Sequence, residues 1–340
     1  MKERGYEVTA FYLKIWLQDE LAHLSECPWE DDLKICRDVC ERAGVELEVI
    51  SLMEEYHERV VGYTVEEARK GRTPNPDIMC NSRVKFGVFL DAISKRGFDV
   101  VASGHYAQVG DGGRLIRGVD DVKDQSYFLC GLSKDVLEGV QFPVGGLEKS
   151  RVRELAKKFD LPNRERPDSQ GLCFLGKVKF DAFIGAYLGE NPGEVLDAGS
   201  GEVVGQHNGL WFHTVGQRKG LGGVLDVKVN SRGPWYVVRK NVEENRLFVS
   251  NEYENFEEIR KVVMVEELEW REDFGGGEGR WDMKIRHGPR IAKGRVEEVG
   301  GGRAKVILDE KDGGLAPGQY IAFYDDEGGC VGSCVIGERE

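Results

Sequence analysis

No apolar run in the chain approaches the roughly 20 residues that cross a membrane, so no spanning helix is expected. The opening Met1-Lys-Glu-Arg4 is followed by no apolar stretch of the secretory kind, so no signal peptide is expected either. Eight cysteines in 340 residues are too few for a disulfide scaffold. Without a secretory signal they suggest a reducing compartment, where thiols are free, catalytic or metal-bound. Basic excess is also missing. Lys and Arg number 47 against 60 Asp and Glu, a net charge of -13 with a pI near 5.2. That lowers the expectation of a nucleic-acid partner, although a local basic patch can still grip phosphates. There is no internal repeat. What remains is an ordinary globular composition, 40% hydrophobic and 31% charged, long enough for two or three domains.

The first half alternates strands and helices. Residues 6–13 read as a strand, 31–43 as a helix, 46–52 as a strand and 54–70 as a helix. A helix over 83–96 places Val84, Val88, Phe89, Ala92 and Ile93 on one face and stops at Gly97. Residues 98–103 form a short apolar strand, and 150–160 a helix with Val152, Leu155, Ala156 and Phe159 at helical spacing, ending before Pro162. The expected fold is therefore α/β, with a doubly wound parallel sheet that binds ligands beyond the carboxyl ends of its strands. Gly104-His-Tyr-Ala107 should line that crevice. After about residue 195 the texture becomes β-rich. Candidate strands lie at 235–239, 246–250, 282–286, 303–308 and 319–324, with Gly275–Gly277 and Gly300–Gly302 as turns. Such spacing suggests small barrels or sandwiches. The expected division is 1–180, 181–256 and 257–340.

Two cysteines sit in polar, Gly/Pro/Asn/Asp-rich settings. Cys80 ends Gly71-Arg-Thr-Pro-Asn-Pro-Asp-Ile-Met-Cys80, just before the helix at 83–96, with Asn81 or Ser82 as N-cap. A thiol there feels the positive end of the helix dipole, and Arg83 and Lys85 act in the same sense. It reads as a nucleophile or redox cysteine, against the alternative of an inert loop thiol. Cys173 lies in Asp168-Ser-Gln-Gly-Leu-Cys173-Phe-Leu-Gly176, either as a sheltered persulfide carrier or as a small loop anchor. Pro76 stiffens Asn75-Pro-Asp77, so Asp77 reads as a proton shuttle or as an Asx turn. Lys123-Asp-Gln-Ser-Tyr127 suits base or phosphate contacts, or else starts a polar helix. Gly216-Gln-Arg-Lys-Gly220, near His213, is a basic loop suited to RNA phosphates or a solvated turn. Cys36 and Cys40, like Cys330 and Cys334, fit a zinc knuckle poorly, and no metal is expected.

These segments, in order, resemble the tRNA-specific 2-thiouridylases. The resemblance rests on Gly71–Asn81, Ser103–Ala107, Lys123–Phe128, Asp168–Gly176, His213–Gly220, Pro234–Val238 and Ala316–Gln319. It implies an adenine nucleotide alpha hydrolase-like α/β domain followed by two small β-rich domains, the central one contacting tRNA and the last a barrel. It also implies that ATP, with Mg2+, activates the 2-oxygen of the wobble uridine by adenylation, and that a persulfide on Cys173, loaded by a sulfur donor protein, replaces that oxygen. Cys80 matches the partner nucleophile, able to close a disulfide with Cys173, and Asp77 the acid/base. Asn75, Pro76 and Asp77 match positions that hold the target base. Lys123, Asp124, Gln125, His105, Arg286, His287 and Gln319 match tRNA-contacting positions, and Leu13 and Gly104 nucleotide-contacting ones.

The family's Ser-Gly-Gly-Val-Asp-Ser phosphate loop is not in this sequence, which begins in what resembles the tail of the following helix. Backbone N–H groups of such a loop cradle pyrophosphate, so its absence suggests a partial sequence. The alternatives are a non-catalytic tRNA-binding remnant and a thiol–disulfide redox protein using Cys80 and Cys173. The segments Phe11–Trp16 and Cys27–Asp31 point to organellar members, a mitochondrion or plastid ahead of a bacterial-type cytoplasm.

Overall fold

The computed structural model describes residues 1–15, 29–166, 178–252, 261–271 and 275–337. They fall into two compact units, Met1–Gly62 with Pro76–Phe183, and Tyr63–Asn75 with Ile184–Glu340.

The first unit is α/β. Strand β1 (Thr9–Lys14) pairs in parallel with β2 (Glu46–Ser51), Thr9 opposite Glu46 and Lys14 opposite Ser51. The helix Trp29–Ala43 lies in the connection between them, as a parallel crossover requires. Acidic residues Glu30, Asp31 and Asp32 occupy its first turn and Arg42 its last, both favourable to the helix dipole. β3 (Val101–Ala102) pairs in parallel with β6 (Val140–Gln141), and β4 (Ala107–Gly110) forms an antiparallel hairpin with β5 (Arg114–Arg117). The expected strand at 98–103 is thus reduced to two ladder residues, because its partner offers only two. The helix near 150 runs from Lys149 to Lys158, and Phe159, expected on its apolar face, is instead 46% exposed at its end.

In the second unit a four-stranded sheet runs β8-β7-β10-β9, built from β7 (Gly193–Asp197), β8 (Val203–His207), β9 (Tyr236–Asn241) and β10 (Arg246–Ser250). Its core holds Val195, Leu210, Trp235, Val237, Leu247 and Val249. Six further strands close a barrel in the order β11-β14-β13-β12-β15-β16: β11 (Val262–Trp270), β12 (Gly279–Lys284), β13 (Ala292–Gly300), β14 (Arg303–Leu308), β15 (Tyr320–Tyr324) and β16 (Cys330–Ile336). Closure leaves no free sheet edge. Gly300, Gly301 and Gly302 all have positive φ, which the tight β13–β14 turn requires. Met283, Ile321, Phe323, Val331 and Cys334 fill the barrel interior. Among the described residues no helix is long and apolar enough to cross a membrane.

Candidate functional site

Cys80 lies inside a helix, not ahead of one. The helical run starts at Pro76, passes through a wide π segment Cys80–Val88 and ends in Phe89–Ser94. Proline pre-sets the dihedral of a first helical residue and has no N–H to lose there, so the residue that reads as a loop stiffener nucleates the helix. The expected N-cap role of Asn81 or Ser82 is therefore corrected. Ser82 Oγ donates to Ile78 O at 2.8 Å, a back-bond that competes with the helical ladder where the π segment opens. Cys80 is 0% exposed, and its neighbours in sequence, Ile78, Met79 and Val84, are buried with it. Asn81 Nδ2 donates to Phe128 O at 3.0 Å, while its buried Oδ1 has no partner among the described residues. Asp77 sits half-buried in the first turn. Cys173 and its surrounding motif lie outside the described residues.

Gly104 and His105 follow β3. A Cβ on Gly104 would meet nothing within 4 Å, so there is open space at this strand end. Leu13, near the carboxyl end of β1, is half-buried. The His105 ring packs between Phe86 and Phe142, with centroids at 5.8 and 5.7 Å, and its Nδ1 lies 2.7 Å from Ser103 Oγ. Burial, helped by the charge of Lys85, pushes its pKa down to about 3, so it works as a neutral hydrogen-bonding group. Asp124, expected at an RNA surface, is fully buried. Its carboxylate accepts from Gly118 N, Ser126 N and Ser126 Oγ at 2.9, 3.0 and 3.1 Å. Gln125 Oε1 accepts from Tyr106 N at 3.0 Å. Asp124 and Gln125 therefore brace the loop, while Lys123, like Gln125, is half-buried. Gly145 permits the tightest approach here, since a Cβ would lie 1.5 Å from Ala107 O.

In the second unit the segment Gly71–Asn75, which leads into Pro76, is fastened along its length. Lys240 Nζ donates to Gly71 O at 2.9 Å, and burial pushes this ammonium down to about 7. Arg72 bridges Glu67 at 2.7 Å and Glu266 at 2.5 Å. Thr73 N donates to Pro317 O at 2.7 Å. Gln319 Nε2 donates to both Thr73 O and Pro74 O at 2.9 Å, and its Oε1 accepts from Asn75 Nδ2 at 3.4 Å. Gln319 also lines a cavity of about 580 Å³ together with Thr73, Gln217, Tyr236 and Arg286. The 216–220 loop is ordered by Gln217, whose Oε1 accepts from Thr214 N and whose Nε2 donates to Lys219 O, both at 2.9 Å. Arg218 stands 6.0 Å from the Tyr236 ring centroid. His213 is buried, its Nδ1 has no partner among the described residues, and burial pushes its pKa down to about 4. His287 is exposed beside Arg286.

Comparison with known proteins settles the family. Three family models match in order: the tRNA methyl transferase HUP domain over residues 1–177, the tRNA methyl transferase PRC-barrel domain over 181–251, and the aminomethyltransferase beta-barrel domain over 260–336. A tRNA-specific 2-thiouridylase MnmA of Parabacteroides distasonis is 41% identical over 344 residues, 99% of this chain and 93% of that protein. MnmA 1 of Bacteroides thetaiotaomicron is 41% identical over 97% of this chain and 93% of its own length, and MnmA of Porphyromonas gingivalis 39% over 98% and 93%. This chain belongs to the tRNA-specific 2-thiouridylase family. These relatives are bacterial, and they give no support to the organellar reading of Phe11–Trp16.

As a member of that family the chain carries an HUP-type α/β domain and two β domains, in agreement with the expected fold class. The structure gathers Asn75, Gln319 and Arg286 in the second unit. Lys240 and Asp312 were not singled out from the sequence, although the Asp-Gly-Gly run at 312–314 carries a turn signal, whereas Thr73 and Tyr236 lie within Gly71–Asn81 and Pro234–Val238, two of the segments that carry the resemblance.

Proposed function

We propose that this chain replaces the 2-oxygen of the wobble uridine of tRNA by sulfur, in an ATP-dependent reaction. The observation that carries this reading is 41% identity, over 99% of the chain, to a protein named a tRNA-specific 2-thiouridylase. ATP, when bound, supplies the adenylyl group that turns the uridine oxygen into a leaving group. The open space at Gly104 fits the nucleoside end of that ligand. The sequence holds no Ser-Gly-Gly-Val-Asp-Ser run, so no residue is assigned to the phosphates or to Mg2+.

The terminal sulfur of a Cys173 persulfide, charged by a donor protein, bonds to the activated C2 as the C2–O bond breaks and the oxygen leaves on AMP. Cys80, as thiolate, then attacks the Cys173 sulfur. The S–S bond to the transferred sulfur breaks, its electrons stay on the 2-thiouridine, and a Cys80–Cys173 disulfide is left for reduction. Asp77, three residues before Cys80, takes the proton of the Cys80 thiol as the thiolate forms. Asn75 and Pro76 hold the target base, with Lys123, His105, Arg286, His287 and Gln319 on the surrounding tRNA. Because Cys80 is enclosed, its turn must open for attack, and the π segment beginning at Cys80 is where the helical register has slack. The division at about residues 180 and 256 is part of this proposal, supported by the three separate family matches.

The test is Cys173→Ser in the full chain. Thiolation should vanish while tRNA binding stays within about twofold of the parent. Full thiolation by this variant would refute the assignment, and tRNA binding without thiolation by the parent would leave a non-catalytic binder.

A further inference from the structure

Arg286 is a long, flexible cation in a strongly acidic chain, yet its guanidinium is held rigidly. Asp312, whose side chain is 3% exposed, accepts Arg286 Nη2 on both carboxylate oxygens at 2.7 Å. The same carboxylate takes Arg290 Nη1 at 3.2 Å and the Gly314 amide at 2.7 Å. Beneath the fork lies Gly314, where a Cβ would stand 1.8 Å from Arg286 Nη1, so the guanidinium occupies the space a side chain would fill. Arg286 and Arg290 remain about half exposed, at 49% and 52%. Two guanidiniums thus share one buried carboxylate, Arg290 also lies 3.7 Å from the exposed Glu310, and Arg286 lines the 580 Å³ cavity together with Tyr236 and Gln319.

We infer that Asp312 and Gly314 are positioning residues that present Arg286 to a backbone phosphate of one unstacked RNA nucleotide, whose base enters the cavity beside Tyr236. The inference rests on the tRNA reading given above. Asp312 uses only the Nη2 corner of the fork, so the rest of the guanidinium faces the ligand, and a guanidinium held before binding loses less entropy on contact. Tyr236 offers an aromatic face of the kind on which unpaired bases stack.

The charge of Asp312 makes the test sharp. An acidic residue near a phosphate should repel it, so Asp312→Asn should tighten RNA binding if the carboxylate does no more than sit there. If Asp312 seats Arg286, the same substitution weakens binding. Asparagine keeps an oxygen for the Gly314 amide, so the turn survives. Binding of the full chain to an unmodified tRNA is measured by anisotropy across a salt series, alongside kcat, KM and a thermal melt. Asp312→Asn and Gly314→Ala should each weaken tRNA binding about tenfold, raise KM to match and leave kcat unchanged, and Asp312→Asn in an Arg286→Gln background should add nothing. Arg286→Gln should lower the salt slope by about one. Unchanged or tighter binding by Asp312→Asn, or an equal loss in the Arg286→Gln background, would overturn the inference. A parent chain that binds tRNA without thiolating it would sink the functional reading alone, because the binding comparison still stands. A parent chain that binds no tRNA would sink both.

Discussion

Replacing Gln319 with alanine removes the side chain that holds the Thr73–Asn75 segment from its carbonyl side. Two N–H···O bonds of 2.9 Å, to Thr73 O and Pro74 O, disappear, together with the longer contact to Asn75. A neutral hydrogen bond contributes about 1 kcal/mol net, so the loss is about 2 kcal/mol. The anchors at Gly71, through Lys240, and at Arg72, through Glu67 and Glu266, are untouched, so the effect stays local. Opening of Thr73–Asn75 should become about 30-fold more frequent, since each 1.4 kcal/mol is a factor of ten. The reporter is the Thr73 amide, bonded to Pro317 O at 2.7 Å. Hydrogen exchange by mass spectrometry should show it exchanging about 30-fold faster while barrel peptides stay unchanged, with thiolation turnover falling in parallel. An unaltered Thr73 amide, or equal acceleration throughout the barrel, would refute the clamp.

Two further predictions concern stability. Gly145→Ala puts a Cβ 1.5 Å from Ala107 O, a backbone atom that cannot swing away, so a loss of about 3 kcal/mol or more is expected in denaturant melts. An unchanged midpoint would contradict the packing described. His213 has a folded pKa near 4 against an ordinary value of 6.5, so between those pH values the unfolded chain binds the extra proton and stability rises with pH. Stability is retained above about pH 6.5 and lost as pH falls to 4, by about 3 kcal/mol. His213→Phe should flatten that part of the profile while leaving the similar share of His105, and an identical profile would place the His213 proton elsewhere.

Three of the six barrel strands and part of the helix expected over 83–96 were legible because their periods of two and about 3.6 follow directly from burial on one face. Buried Val84, Phe89 and Ile93 fall where that period puts them. Cys80 was misplaced because Pro76 supports two readings, loop stiffener and helix start, and only the packing around Ile78 and Met79 selects between them. Asp124 reads as a polar surface residue because its partners Gly118 and Ser126 are brought round by a turn. The Arg286–Asp312 seat joins residues 26 positions apart on separate barrel segments, a distance no local pattern spans.

The most direct test is to supply the chain with unmodified tRNA, ATP, Mg2+ and a persulfide donor, and then analyse the digested nucleosides by mass spectrometry. An oxygen-to-sulfur mass shift at the wobble uridine that requires ATP and Cys173 is expected. Unmodified uridine in a reaction where the tRNA is bound would contradict it.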